Sequence, residues 1–184
     1  MNDTIIKVIN EFNKVEGKHI CYLYNDHQEY IEKVVTFIMI GIKEGDHILL
    51  VENDRNILAI NRKLQNELSD GQLANLHIMN NYNFYFTNGN FHPHTILLYF
   101  SSYIQSFVEN GISIRTWGHI EWGNEKEIQK DIEEYEKEVD KLVKLTGTIS
   151  VCAYPAERTS DSLVEMLKNC HGVIITDHEV VYLN

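Results

Sequence analysis

The stretch His19-Ile20-Cys21-Tyr22-Leu23-Tyr24 decides the fold, and Asn25-Asp26-His27-Gln28-Glu29 follows it as a polar turn that leads into a helical pattern. The six residues are apolar on both faces of the strand that they would form, which is typical of a strand buried inside a parallel sheet. An apolar strand that runs through a short turn into a helix begins a βαβ unit. The stretch therefore predicts an interior strand of a mostly parallel sheet.

Strand and helix patterns alternate along the rest of the sequence. The predicted strands are His19–Tyr24, Asp46–Glu52, Leu76–Met79, Ile112–Trp117 and Thr148–Tyr154, and a closing hairpin is predicted over Gly172–Leu183. The predicted helices are Thr4–Val15, Glu29–Ile42, Arg55–Leu68, Pro93–Asn110, Asn124–Lys144 and Ser160–Asn169. This order predicts a single α/β domain over residues 1–184, with three layers: a mostly parallel central sheet and helices on both of its faces.

Charge and cysteine content argue against several classes of protein. The chain carries 16 Lys+Arg and 27 Asp+Glu, a formal net charge of -11, so its surface repels phosphate backbones and anionic membranes. No signal peptide and no continuous apolar span is visible, and the three cysteines are typical of reduced thiols. We therefore expect a cytoplasmic protein with no nucleic-acid partner and no membrane contact.

The turn Asn25–Glu29 lies where a strand–turn–helix unit normally holds a nucleotide phosphate. That task needs glycines, so that backbone N–H groups can approach the anion, and usually a lysine. The turn has neither, and it carries the carboxylates of Asp26 and Glu29. We expect ATP and GTP to bind weakly or not at all, which argues against a nucleotide-dependent enzyme.

Aromatic and acidic side chains fall at several predicted strand ends, which open onto a common crevice in this fold class. These residues are Tyr24, Glu52, Glu121, Trp122 and Tyr154. Together they predict a crevice with aromatic walls and a few polar groups, which suits a small organic ligand. The alternative, that Trp122 only packs and Glu121 is only solvated, stays open.

Two cysteines and a histidine occupy similar places in two apolar strands. His19 and Cys21 lie two residues apart and point to one face of their strand, as Cys152 and Tyr154 do in the late strand. If the strands are neighbours, His19, Cys21 and Cys152 could bind a soft metal or haem, or act as a redox pair. No CxxC or HxxxH pair is present, so core packing of buried, reduced thiols is favoured, and no metal or other cofactor is predicted.

The other motifs give little support for catalysis. His92-Pro93-His94 could ligate a metal, but a proline-stiffened helix entry is the favoured interpretation. Cys170-His171-Gly172 is typical of a helix C-terminus. The glutamates of Asn124–Lys144 are interpreted as a solvated face, and no Ser/His/Asp order or nucleophile elbow occurs. We therefore predict no catalytic residues.

Several segments resemble a known family. They are Gly17–Tyr24, Glu29, Phe37, Gly41–Asp46, Ile114–Trp122, Val151–Tyr154 and Leu167–Ile174. Over nearly its whole length the chain resembles the MEDS family, the methanogen/methylotroph DcmR-type sensory domains. The resemblance implies a KaiC/RecA-like fold that has lost its phosphate loop, and a role in sensing small organic compounds such as hydrocarbon derivatives. The chain departs from other members at His171-Gly172, where they have proline after the histidine.

The leading hypothesis is a stand-alone sensory domain, not an enzyme, whose small organic ligand shifts the conformers that a signalling partner recognises. The predicted ligand-binding residues are His19, Cys21, Tyr24, Glu52, Glu121, Trp122, Cys152 and Tyr154. The expected partner is a histidine kinase or a regulator, and self-association into a homodimer is left open. The alternatives are an interaction module without a ligand and a nucleotide-binding enzyme.

Overall fold

The computed structural model describes residues 3–11 and 16–183. Its strands are β1 (Lys18–Tyr24), β2 (His47–Glu52), β3 (Leu76–Asn80), β4 (Ile114–His119), β5 (Ile149–Pro155), β6 (Val173–Ile175) and β7 (Val180–Tyr182). Its α-helices are α1 (Thr4–Asn10), α2 (His27–Lys43), α3 (Asp54–Leu64), α4 (Asp70–Leu73), α5 (Asn81–Tyr85), α6 (Pro93–Val108), α7 (Glu125–Thr146) and α8 (Asp161–Cys170), and Ala156–Arg158 form a 3-10 helix. Among the described residues, no helix has both the length and the apolar character needed to cross a membrane.

The strands form a seven-stranded sheet with the order β3-β2-β4-β5-β1-β6-β7. Neighbouring strands are parallel, except that β6 and β7 form the predicted antiparallel hairpin. β1 lies between β5 and β6, which confirms that His19–Tyr24 is an interior strand. The predicted mostly parallel α/β fold is confirmed as well.

Strand side chains alternate between two faces of the sheet, and each face has its own apolar core. Helices α1, α2 and α3 cover one face, which we call the α2 face and which buries Tyr22 and Trp117. Helices α6, α7 and α8 cover the other, which we call the α7 face and which buries Cys21 and Cys152. Because the central strands are apolar on both sides, both faces must be covered, and three layers result.

The predicted elements differ from the structure mainly at their ends. Asp26 caps α2 by accepting from the backbone N–H of Glu29 at 2.9 Å, so the helix begins two residues before its predicted start. The predicted helix Arg55–Leu68 ends at Leu64. Of the predicted helix Thr4–Val15, residues 12–15 lie outside the described residues.

Polar caps position the helices that follow β3. Asn80 accepts from the backbone N–H of Asn83 at 3.0 Å and starts α5, a short helix that the sequence analysis did not predict. His92 caps α6 and Pro93 is its first residue, as expected for a proline-stiffened helix entry. These caps fix α5 and α6 beside the edge of the sheet.

Candidate functional site

The eight predicted site residues divide between the two faces of the sheet. Tyr24 and Glu52 end β1 and β2 on the α2 face, and Glu121 follows β4 close to them. The other five lie on the α7 face: His19, Cys21, Trp122, Cys152 and Tyr154. The structure therefore places them in two groups, one on each face of the sheet.

A group of hydrogen-bonded side chains, which we call the strand-end network, lies at the carboxyl ends of β1, β2 and β4. Its centre is the carboxylate of Glu52, which is fully buried. The Tyr30 hydroxyl donates to Glu52 Oε2 at 2.5 Å, and His119 Nδ1 donates to Glu52 Oε1 at 2.5 Å. On the other side of the ring, His119 Nε2 lies 2.6 Å from the Tyr24 hydroxyl. Glu52 thereby sets the orientation of the His119 ring.

Two asparagine side chains join Glu121 to the strand-end network. Asn81 on α5 donates to Glu121 at 2.9 Å and to the carbonyl of His119 at 3.0 Å, and Asn53 donates to Glu121 at 3.2 Å. Burial acts to raise the pKa of Glu121, but His119 and the amide donors outweigh it and lower that pKa. Glu121 is therefore an anchored carboxylate, although 44% of its side chain is exposed.

The protein's own side chains fill the space between the predicted crevice residues. The ring centroid of Tyr30 lies 4.4 Å from that of Tyr24 and 5.1 Å from that of His119. On the other face, Trp122 packs against Tyr154 with ring centroids 5.9 Å apart, and both are buried. These residues therefore mainly contact one another. Their ligand-binding role stays a prediction.

An open cavity of about 480 Å³ lies beside the strand-end network. Its lining residues come from the end of β3, from α5 and the loop after it, and from the start of α6: Met79, Asn80, Asn83, Phe84, Thr87, Thr95, Ile96 and Tyr99. Both the volume and the mixture of apolar, aromatic and few polar side chains are typical of small-molecule sites. Helix α5 lines this cavity and also carries Asn81, so the cavity and the network share one element.

A second polar group, which we call the His–Glu cluster, is buried on the α7 face and consists of His19, Glu136, Cys152 and His171. One ligand atom from each of the four lies within 4.8 Å of all the others. Glu136 Oε2 lies 2.9 Å from His19 Nε2 and 3.3 Å from His171 Nε2. Cys152 Sγ lies 3.6 Å from His19 Nε2. Strands β1 and β5, helix α7 and the end of α8 thus meet at one point.

The charges of the His–Glu cluster depend on one another. Burial acts to raise the pKa of Glu136, but His171 and His19 outweigh it and lower that pKa. Burial acts to lower the pKa of His19, yet hydrogen bonds to Asp140 and Glu136 raise it overall. Burial, followed by the charge of His19, lowers the pKa of His171. The protonation of each of these three groups therefore depends on that of the other two.

The cysteines lie where the strand pattern predicts them. Cys21, Cys152 and Cys170 are free and buried, and Cys21 and Cys152 are register partners in β1 and β5. Their predicted burial and proximity are confirmed. Burial and the charge of Glu136 raise the pKa of Cys152, so its thiol is protonated in the absence of a metal.

A carboxylate of the protein itself occupies the turn after β1. Asp177, from the turn between β6 and β7, accepts from the backbone N–H groups of Asn25 and Asp26 at 3.0 Å each and from the Tyr22 hydroxyl at 2.6 Å. These donors outweigh the effect of burial and lower the pKa of Asp177. Amides at the start of a helix are where a phosphate is normally held. Here Asp177 takes that place.

Sequence reasoning missed several residues of these groups: Tyr30, Asn81, His119, Glu136, His171 and Asp177. The solvated-face interpretation of α7 is wrong for Glu136, which is fully buried. Glu136 follows the buried Ile132 by four positions and therefore lies on the same side of the helix. That spacing was the available signal for a buried carboxylate. For His171 and Asp177 no comparable local pattern exists, because their partners are distant in sequence.

Comparisons with known proteins agree with this fold. The model of the MEDS family, described as the methanogen/methylotroph, DcmR sensory domain, matches residues 18–172. A solved structure from Pyrococcus horikoshii OT3 is similar with a TM-score of 0.51, over 97% of this chain and 90% of that chain, at 10% sequence identity. At that identity the similarity concerns the fold alone. No curated protein matches the chain.

Proposed function

This chain belongs to the MEDS family of sensory domains, and we propose that it senses a small, mainly apolar organic molecule without catalysing a reaction. The ligand site in this proposal is the cavity between the end of β3, α5 and the start of α6. The ligand-bound conformer is recognised by a separate signalling protein, such as a histidine kinase or a regulator.

The observation that carries the proposal is the position of α5 between the cavity and the strand-end network. Asn83 and Phe84 of α5 line the cavity, whereas Asn81 of the same helix donates to Glu121 and to the carbonyl of His119. A ligand that contacts α5 therefore changes the hydrogen bonds at the end of β4. A signal arises only if the ligand binds one arrangement of α5 more tightly than the other.

The strand-end network offers a route from the cavity to the α2 face. His119 ends β4 and is hydrogen-bonded to Glu52 of β2 and to Tyr24 of β1. A shift of Asn81 that moves the end of β4 thus alters contacts at the ends of two further strands. In this proposal, α2 and the surface around it report the occupied state to the partner.

We do not expect the chain to bind a nucleotide, although we propose that its fold descends from a KaiC/RecA-like nucleotide-binding ancestor. Asp177 already accepts hydrogen bonds from the two backbone N–H groups that would bind an anion after β1. A phosphate would have to displace this carboxylate and then lie beside Asp26. Both steps oppose binding, since like charges at close range repel.

Thermal-shift screening of small organic compounds, followed by calorimetry, tests the ligand site. A ligand present at a hundred times its dissociation constant should stabilise the protein by about 2.7 kcal/mol. The variant Thr95→Trp places an indole in the cavity and should abolish this stabilisation. The matched control is Ser102→Trp, an exposed position on the same helix and outside the cavity lining, which should leave binding unchanged.

Two results would contradict the ligand site: a broad screen without any stabilising compound, or a ligand that Thr95→Trp binds as tightly as the wild type does. The interaction module without a ligand would then be the better proposal. Leu98 and Leu145, which are 56% and 82% exposed beside a groove between α6 and α7, would be its first candidates for a contact surface.

A further inference from the structure

We propose that the His–Glu cluster is a buried binding site for one divalent transition-metal ion, and that its donor set fits Zn²⁺ best. The ligands are His19 Nε2, Glu136 Oε2, Cys152 Sγ and His171 Nε2. Their side chains are almost completely inaccessible to solvent. The site lies on the α7 face, and it stands independently of the ligand cavity in the proposed function.

Two of the distances between the ligand atoms match those around a tetrahedral ion. Bond lengths of about 2.0–2.1 Å to nitrogen or oxygen and 2.3 Å to sulfur place the ligand atoms roughly 3.3–3.6 Å apart. His171 Nε2 and Glu136 Oε2 are 3.3 Å apart, and His19 Nε2 and Cys152 Sγ are 3.6 Å apart. The separation between His19 Nε2 and Glu136 Oε2 is shorter, at 2.9 Å, and all four ligand atoms lie within 4.8 Å of one another. Coordination of an ion requires this pair of atoms to move apart by about half an ångström.

Unsatisfied polar atoms point into the centre of the cluster. Glu136 Oε2 and His171 Nε2 are buried, and neither makes a hydrogen bond of good geometry, although His19 Nε2 lies 2.9 Å from Glu136 Oε2. His171 Nδ1 donates to the carbonyl of Leu167 at 2.8 Å, which leaves a lone pair on Nε2 in the neutral ring. That lone pair faces the carboxylate of Glu136, which has no hydrogen to give. A cation between them removes this conflict for both atoms.

The second ring nitrogen of each histidine makes the kind of contact that is usual for a metal-binding histidine. A ligating histidine donates its second ring N–H to a carbonyl or carboxylate, which fixes the tautomer and the orientation of the ring. His19 Nδ1 lies 2.9 Å from the carbonyl of Cys170, and His171 Nδ1 has the equivalent contact with Leu167. The Tyr154 hydroxyl donates to the other carboxylate oxygen of Glu136. Each of these contacts leaves the metal-facing atom free to coordinate.

The donor set indicates which ion binds and what it does. Two imidazoles, one thiolate and one carboxylate suit Zn²⁺ better than Mg²⁺ or Ca²⁺, which prefer oxygen ligands. Since the protein supplies all four ligands, no position remains for water or a substrate. The ion is therefore structural: it joins α7 and the end of α8 to β1 and β5.

Titration of metal-depleted protein with Co²⁺, and then Zn²⁺ in competition, tests the site. We expect one equivalent of Co²⁺ to bind with the visible spectrum of a tetrahedral ion and a thiolate charge-transfer band. Cys152→Ser should abolish that band and weaken binding at least about tenfold. The matched control is Cys21→Ser, which alters the register partner, an equally buried thiol outside the ligand set. It should keep both the band and the affinity.

Glu136→Gln provides a second variant, because it keeps the size of the side chain and leaves the thiolate in place. We expect it to keep the charge-transfer band while binding Co²⁺ at least about tenfold more weakly. Circular dichroism of each metal-free variant checks that it folds. The proposal is overturned if the folded wild type binds less than one equivalent at micromolar Co²⁺. It is also overturned if Cys21→Ser loses the band as Cys152→Ser does, or if Glu136→Gln binds like the wild type.

Discussion

Replacing Asp177 with alanine should destabilise the protein more than most surface substitutions do. The Asp177 carboxylate holds the hydroxyl of Tyr22 at 2.6 Å and the backbone N–H groups of Asn25 and Asp26 at 3.0 Å. It thereby ties the turn between β6 and β7 to the start of α2. The variant Asp177→Ala removes all three acceptor contacts at once.

The expected cost follows from the exposure of each donor. Tyr22 is fully buried, so its hydroxyl is left without an acceptor, which costs about 1–3 kcal/mol. Asn25 and Asp26 are exposed, so water can replace the carboxylate at their N–H groups, and that loss is about 1 kcal/mol. The free energy of unfolding should therefore fall by about 2–4 kcal/mol.

Urea unfolding of four proteins measures this effect: the wild type, Asp177→Ala, Tyr22→Phe and the double variant. Tyr22→Phe removes the hydroxyl that Asp177→Ala would leave unpaired. The double variant should therefore lose less stability than the sum of the single losses, with a coupling of about 1–2 kcal/mol. Additive losses, or a loss below about 1 kcal/mol for Asp177→Ala, would show that this carboxylate does not hold the turn.

The same contact makes a prediction about pH. The pKa of Asp177 is lower in the folded protein than in the unfolded chain, where it is about 3.9. Its contribution to stability is therefore fully present above the unfolded pKa and is lost as the pH falls through the folded pKa. The stability difference between the wild type and Asp177→Ala should be constant above about pH 5 and should shrink below about pH 4.

Three further predictions concern other parts of the molecule. Gly17→Ala should cost at least about 2 kcal/mol more than Gly111→Ala in thermal unfolding. Both glycines have positive φ, but only at Gly17 would a Cβ meet the carbonyl oxygen of Val143, at 2.2 Å. Asp46→Ala should cost about 1.5–3 kcal/mol in urea unfolding, because it removes an acceptor 2.6 Å from the buried Arg115 guanidinium, which keeps its ion pair with Glu44. Calorimetry with magnesium and ATP should show no saturable binding in the micromolar range, and saturable binding would contradict the role assigned to the turn after β1.

The sequence predicts the fold well because the relevant signals are local. The run His19–Tyr24 is apolar at every position after its first, and this alone indicates a strand covered on both faces. The short α5 escapes prediction, since five residues show no helical period and its start depends on one asparagine cap. The observed ends of helices differ from the predicted ends for the same reason, because a single capping side chain can determine where a helix begins.

The candidate site is harder to predict, because it depends on the register between strands. Alternation already places His19 and Tyr24 on opposite faces of β1, five positions apart. Nothing local, however, tells which face of β1 matches the face of β2 that carries Glu52. The observed order and register put Glu52 with Tyr24, and Cys152 with Cys21. The division of the predicted residues between the two faces therefore depends on long-range pairing, which the local pattern does not show.

The two proposals assign different mechanical roles to the centre and the edge of the sheet. The His–Glu cluster lies at β1 and β5, in the interior of the sheet, where a bound ion adds restraint to strands that are already covered on both faces. The cavity lies at β3, an edge strand in which no residue is fully buried, and next to a five-residue helix. Local opening costs least where few apolar contacts and few protected hydrogen bonds must be broken. In the proposed function, the ligand therefore acts at this edge while the centre of the sheet stays fixed, and the response travels through the hydrogen bonds of Asn81.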